Sequence, residues 1–295
     1  MKAYAKINLN LKVLGIRPDS YHELFTLMQT VDLYDILEFS PSNKLELTVE
    51  LAKDLSGQNA SLSAGSDNLA YRAADLLRMH TGFTQGVRIN LIKKIPLAAG
   101  LAGGSADAAA VLKGLNSFWN LNLPETELAQ LGAQLGSDVP FCLRGGTALA
   151  RNRGETIEPL ADLHNFGVLL AKPDFGLSTA LVYRLYDKAK INKHSSNSTL
   201  PATVNKEILY GQNNLKELAD YLENDLEQAV LPLYPEINAL KETIASLGAA
   251  GVLMSGSGPT VFGLFANKTQ AEQAAGKLQI EGSWTWATEF AQAKK

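Results

Sequence analysis

The sequence predicts a mixed α/β protein in two domains. Alternating apolar stretches of strand length take turns with segments of helical period along the chain. One passage runs strand, glycine-rich loop, helix between residues 87 and 115, and 295 residues are enough for two cores.

The elements follow in order. From Ala3 to Leu14, Ala5, Ile7, Leu9, Leu11 and Val13 share one face and Lys6, Asn8, Asn10 and Lys12 the other, which predicts a strand with an apolar and a polar side. Arg17-Pro18-Asp19-Ser20 is a turn, followed by a mixed segment to Asp32 and a second strand near Ile36–Phe39. Asp67 or Asn68 starts a helix over 68–80. Val87, Ile89 and Leu91 alternate with Arg88 and Asn90, and a helix runs from Ser105 or Ala106 to Leu115. Pro124 opens another helix that ends at Gly136, and Asp138-Val139-Pro140 starts a further helical turn with Asp138 as N-cap. Then come a buried strand at Val168–Ala171, a helix over 178–188, and a polar excursion over 189–214 that could cover a site. A helix at 236–247, strands at Gly251–Met254 and Val261–Phe265, and a helix at 269–278 complete the chain.

Composition narrows the function classes. Charged residues make up 19% and apolar ones 46%, an ordinary soluble balance. A net charge of -3 supplies no field for a polyanion, so nucleic acid is not expected as a partner. The single Cys142, between Phe141 and Leu143, excludes an intramolecular disulfide and a cysteine zinc cluster and reads as a small core residue. No apolar run approaches the ~20 residues of a membrane span and no signal-peptide pattern opens the chain, so a cytoplasmic protein without membrane attachment is expected.

The informative passage is Pro96-Leu97-Ala98-Ala99-Gly100-Leu101-Ala102-Gly103-Gly104-Ser105. Its small residues let backbone N–H groups approach a ligand, and the helix that follows offers unpaired amides and the positive end of its dipole. It reads as a phosphate cradle, with Ser105 as its first hydroxyl. No Lys-Ser or Lys-Thr closes it, and Gly100, Gly103 and Gly104 miss the dinucleotide spacing. A tight packing turn is the alternative reading. Ser255-Gly256-Ser257-Gly258-Pro259 is a second glycine-rich loop that could oppose the first, or a hairpin turn.

Ala5-Lys6-Ile7-Asn8, the 96–110 loop and Ser255–Pro259, in that order and spacing, resemble the GHMP kinase superfamily of small-molecule kinases. Tyr21-His22-Glu23-Leu24 and Gly136-Ser137-Asp138-Val139-Pro140-Phe141 resemble its branch that acts on a cytidyl substrate. The resemblance implies an N-terminal domain, 1–160, like the second domain of a small-subunit ribosomal protein, and a ferredoxin-like C-terminal domain, 161–295. It implies transfer of the ATP γ-phosphate, with Mg²⁺, to the 2-hydroxyl of 4-diphosphocytidyl-2-C-methyl-D-erythritol in non-mevalonate isoprenoid synthesis. By position, Lys6 and Asp138 match the catalytic pair, and Pro96 to Ser105 the loop around ATP. Ser105 is a candidate metal contact through the phosphates. Asn8, Tyr21, His22 and Tyr183 match the substrate site, His22 by hydrogen bonds to cytosine and the tyrosines by stacking. Monomer and homodimer both stay open.

Two departures stand out: Ser20 where the family often has Gly, and Ala106 where a second Ser often follows Ser105. Singly, Lys6 reads as solvated like Lys12, Asp138 as a cap, and His22 as a surface histidine; jointly they read as a site. His80, His164 and His194 are expected to be structural, and Trp119, Trp284 and Trp286 core or core-edge. Another alcohol acceptor, or a nucleotide sensor without catalysis, remains the alternative.

Overall fold

The computed structural model describes residues 1–55, 62–189, 214–278 and 282–293. Most of the excursion expected over 189–214, with His194, lies outside them. The chain forms two compact units. The first comprises Met1–Ala5, Leu33–Leu97 and Ala102–Arg144; the second comprises Lys6–Asp32, Ala98–Leu101 and Gly145–Lys295.

Strand β1, Lys2–Ile16, extends the predicted strand at both ends. Its polar side is not solvated: Lys6, Asn8 and Asn10 are all buried. Strand β2 runs from His22 to Ser42 without a break, so the expected short strand near 36–39 is only its far part. Phe25 to Val31 are buried on both faces, which removes the alternation that would have marked them as strand.

In the first unit, β3 (Leu45–Leu51) pairs parallel with β4 (Gly86–Lys93), and β4 pairs antiparallel with the Ile36–Ser42 part of β2. Helix α1, Leu69–Thr81, is capped by Asn68, whose side chain accepts from the amide of Ala70. It packs on α2, Gly103–Phe118, whose buried side is built from Ala106, Ala109, Ala110 and Val111. Helices α3 (Glu125–Leu135) and α4 (Val139–Arg144) complete the layer. Cys142 on α4 is half-buried rather than a core residue.

In the second unit, the Leu24–Gln29 part of β2 pairs with β5 (Thr147–Asn152), and β5 with β6 (Thr156–Pro159). Strand β7 (Gly167–Lys172) leads into α5 (Thr179–Lys188), capped by Ser178. After α6 (Leu215–Asp220), the short β8 (Glu223–Asn224) pairs with β1. Then follow α7 (Glu227–Val230), α8 (Pro235–Ser246), β9 (Gly251–Met254), β10 (Val261–Phe265), α9 (Lys268–Lys277) and β11 (Trp284–Glu289).

The order β11-β7-β10-β9 is that of a ferredoxin-like sheet, antiparallel throughout. Leu169, Ala171, Val261 and Phe265 face Ile237, Leu240 and Ile244 of α8 and Ala271 and Ala274 of α9 in one core. The helical 3–4 spacing of these residues meets the two-residue period of the strands. No described helix is long and apolar enough to cross a membrane.

Candidate active site

The glycine-rich loop leaves β4 at Lys93 and enters α2 at Gly103. Ala98, Gly100 and Ala102 all take φ > 0, with values of 47°, 76° and 57°. Alternate left-handed residues turn successive amides to one side, the geometry of an anion nest. The helix begins two residues before Ser105, the earlier of its two expected starts. Ala102, in the N-cap position, supplies no side-chain hydrogen bond, so the first amides of α2 have no capping side chain. Ser105 lies half-buried in the first turn.

Within the second unit, the two glycine-rich loops face each other. Ser255 Oγ donates to the carbonyl of Gly100 at 3.1 Å, and the amide of Thr260 to that of Ala99 at 3.3 Å. A Cβ on Gly100 would collide with the carbonyl of Ser255 and sit 2.9 Å from the amide of Gly258. Ser255–Pro259 is at once the β9–β10 hairpin turn and the opposing loop.

Lys6 points into this contact. Its ammonium, on a side chain only 4% exposed as a residue, donates to Asn8 Oδ1 at 2.5 Å and to the Gly100 carbonyl at 3.1 Å. Asn8 Nδ2 donates to Thr26 Oγ1 at 2.8 Å, which holds the amide so that its oxygen meets the lysine. A Cβ on Gly256 would lie 3.0 Å from Asn8 Oδ1 and 3.2 Å from Lys6 Nζ, so the lysine head lies against a bare stretch of backbone.

In the first unit, the stems of the loop are tied by ions. Lys93 Nζ donates to Asp107 Oδ2 at 2.6 Å and to Asp35 Oδ2. Asp35 Oδ1 accepts from the amides of Lys94 and Ile95, at 2.5 and 2.8 Å. All three side chains are buried. Burial works against the Lys93 ammonium, and the two carboxylates outweigh it and raise its pKa. Burial, aided by repulsion from Asp35, pushes Asp107 up to about 8 despite the lysine.

Asp138 precedes α4, and its carbonyl accepts from the amide of Cys142 in the manner of an N-cap. A Cβ on Gly136 would lie 3.6 Å from Ser105 Oγ, so the turn carrying Asp138 borders the first turn of α2. Pro96, Leu97, Ala102, Gly103, Gly104, Ser105 and Asp138 belong to the first unit; Lys6, Asn8, Ala98–Leu101, Tyr21, His22 and Tyr183 belong to the second.

A further cluster forms at the turn after β1. Ser20, where the family often has Gly, takes φ 66°, in the left-handed region that favours glycine. Tyr21 is exposed, with the guanidinium of Arg153 4.9 Å from its ring centroid. His22 stacks on Tyr183 at 4.6 Å between centroids.

Sequence reading missed Asp35, Lys93, Asp107, Arg153 and Asp187. For the first two a signal existed: Lys93 continues the buried phase of Val87, Ile89 and Leu91, and Asp35 falls between Leu33 and Leu37. A charge in an apolar phase must find a partner inside.

The chain matches the family models described as GHMP kinases N terminal domain, over residues 68–146, and GHMP kinases C terminal, over 204–283. It is 47% identical over 272 residues to 4-diphosphocytidyl-2-C-methyl-D-erythritol kinase of Bacillus pumilus, covering 92% of this chain and 90% of that one. The kinase of the same name from Gloeobacter violaceus is 44% identical, with 95% and 90% covered. A solved 4-(cytidine 5'-diphospho)-2C-methyl-D-erythritol kinase superposes with a TM-score of 0.78 at 36% identity, over 99% of this chain and 98% of that one. Mevalonate kinase of Methanococcus jannaschii shares the fold at 16% identity and a TM-score of 0.73, over 99% and 98%. With both halves of the GHMP pattern matched and relatives this similar along nearly the whole length, the chain belongs to the 4-diphosphocytidyl-2-C-methyl-D-erythritol kinase family of GHMP kinases.

Proposed function

We propose that the protein transfers the γ-phosphate of ATP to the 2-hydroxyl of 4-diphosphocytidyl-2-C-methyl-D-erythritol, a step of non-mevalonate isoprenoid precursor synthesis. The observation that carries this is the buried Lys6 ammonium, set against the bare backbone of two glycine-rich loops. Such a charge is suited to the anionic oxygens of a transferring phosphoryl group.

In this reading the amides of Pro96–Ser105 bind the nucleotide phosphates, as the nest and the uncapped start of α2 favour. Asp138 accepts the hydroxyl proton or orients the hydroxyl, and Lys6 lowers its effective pKa and stabilises charge on the phosphoryl group. Asn8 positions Lys6 and borders the substrate; Tyr21, His22 and Tyr183 hold the cytidine end. Mg²⁺ held with the nucleotide phosphates would supply neutralisation of their charge. The Ser105 hydroxyl, half-buried in the first turn of α2, would be the protein donor to such an ion beside the phosphates.

The reading also takes 1–160 as the nucleotide-binding domain and 161–295 as the C-terminal domain, with the matched family models falling on either side of the boundary. It makes the protein cytoplasmic, and monomeric or homodimeric. The test is ATP consumption with the cytidyl substrate against mevalonate and homoserine. Turnover of the cytidyl substrate alone is expected; turnover of either other alcohol at comparable kcat/KM would overturn the assignment.

A further inference from the structure

His22 is held on three sides. Its side chain is 11% exposed. Tyr183 covers one face, with centroids 4.6 Å apart and planes at 28°. Tyr186 meets the ring edge-on at 6.3 Å and 85°, and Nε2 lies 2.9 Å from Asp187 Oδ1. Tyr183, Tyr186 and Asp187 stand at i, i+3 and i+4 of α5, so one side of one helix makes all three contacts. Stacking and the hydrogen bond together fix both the plane of the ring and its rotation within that plane.

An ionised carboxylate only accepts, so the nitrogen facing Asp187 carries the hydrogen. In the neutral imidazole the other nitrogen, Nδ1, is then a lone pair. Nδ1 has no hydrogen bond among the described residues. The protein thus presents a fixed acceptor on a nearly buried aromatic ring, in the residue that follows the exposed Tyr21.

We infer that Asp187 is a positioning residue that selects the base: by holding Nε2–H it leaves His22 Nδ1 as an acceptor for the exocyclic amine of cytosine, and sets it against the oxygen that uracil carries in the same place. The inference rests on the proposed role of His22 at the cytidine end. Cytosine and uracil have nearly the same shape and stacking surface, so discrimination must come from hydrogen-bond polarity. A lone pair opposite a carbonyl oxygen leaves two acceptors desolvated and unpaired, and sites of this kind reject the wrong partner strongly. Without Asp187 the imidazole can exchange its hydrogen between the two nitrogens, and a ring with Nδ1–H accommodates uracil.

Asp187 is 41% exposed on its side chain, so Asp187→Ala leaves the core intact. The experiment measures kcat/KM for the cytidyl substrate and for its uridine-diphosphate counterpart in wild type, Asp187→Ala, Asp187→Glu and His22→Ala, together with KM for ATP. Nitrogen-15 NMR of the His22 ring reads the tautomer directly. In Asp187→Ala the cytidyl-over-uridyl ratio is expected to fall by at least about tenfold, with KM for ATP and Tm unchanged and the ring spectrum changing from one tautomer to an exchanging mixture. Asp187→Glu is expected to restore part of the ratio. A ratio that stays within about twofold of wild type in Asp187→Ala, while His22→Ala raises KM for the cytidyl substrate, overturns the inference and leaves the base-site reading standing. An unchanged cytidyl KM in His22→Ala overturns both.

Discussion

Lys93 Nζ meets Asp107 Oδ2 at 2.6 Å where neither side chain is more than 4% exposed, joining the end of β4 to the first turns of α2. This contact ties together the two stems of the glycine-rich loop. Asp107 is the member whose charged form the site disfavours. Its pKa rises from the ordinary carboxylate range to about 8 on folding, through burial first and Asp35 second. A group whose pKa is raised on folding holds its proton in the native state after losing it in the unfolded chain. Stability therefore falls as pH rises from about 4 to about 8 and levels off above. Asp107→Asn removes this dependence. Denaturant unfolding at several pH values should show the variant gaining on wild type steadily across that window; a constant difference would refute the raised pKa.

Asp35 is expected to be less replaceable than Asp107. It accepts from two backbone amides of the loop stem as well as from Lys93, whereas Asp107 Oδ1 is buried without a partner. Asp35→Asn keeps the shape but cannot accept on both sides, and it leaves the lysine short of charge. A loss of about 3–5 kcal/mol is expected, as for one partner removed from a buried pair, against about 1 kcal/mol or less for Asp107→Asn at neutral pH. Equal losses in chemical denaturation would contradict this asymmetry.

Lys6→Met and Asp138→Asn should each lower kcat by at least ~100-fold while the affinity for ATP changes little. Because both are proposed to serve one transition state, the double variant should be far less impaired than the product of the single effects. Steady-state kinetics and nucleotide titration of the three proteins test this; an Asp138→Asn enzyme with most of its kcat would reduce Asp138 to the cap of α4.

Gly256→Ala probes the contact between the lysine and the hairpin. Gly256 has φ +55°, and an added Cβ would press on Asn8 Oδ1, Lys6 Nζ and the Gly100 carbonyl at 3.0, 3.2 and 3.3 Å. The backbone strain alone costs roughly 1–2 kcal/mol. Displacing the ammonium should in addition lower kcat at least ~10-fold in the folded protein, measured below its Tm. An unchanged kcat would detach Lys6 from the reaction.

Ser20→Gly should stabilise the protein. Ser20 sits at φ 66° on an exposed turn, and glycine relieves left-handed strain at the expense of a more flexible unfolded chain. A net gain of about 0.5–1 kcal/mol is expected by thermal unfolding. A loss would mean that the Ser20 side chain contributes more than the strain costs.

The sequence by itself determined the elements whose period is strong and local: the alternation of β1, the starts of α1 near Asn68 and of α5 near Ser178, the small-residue entry to α2, and the strands β9 and β10. It also carried the family, because Lys6, the glycine-rich loop and Asp138 are marked by residue type and order. Tertiary structure alone decided what lies inside. The polar side of β1 looks solvated in sequence and is buried, and β2 lost its alternation where both faces are covered. It alone brought Lys93 onto Asp35 and Asp107, placed Gly256 against Lys6, and turned Asp187 toward His22. The reason is physical. Period and capping are properties of neighbours a few residues apart, whereas burial and the pairing of charges depend on which distant segments share a volume, and that is fixed only when the sheets and helices pack.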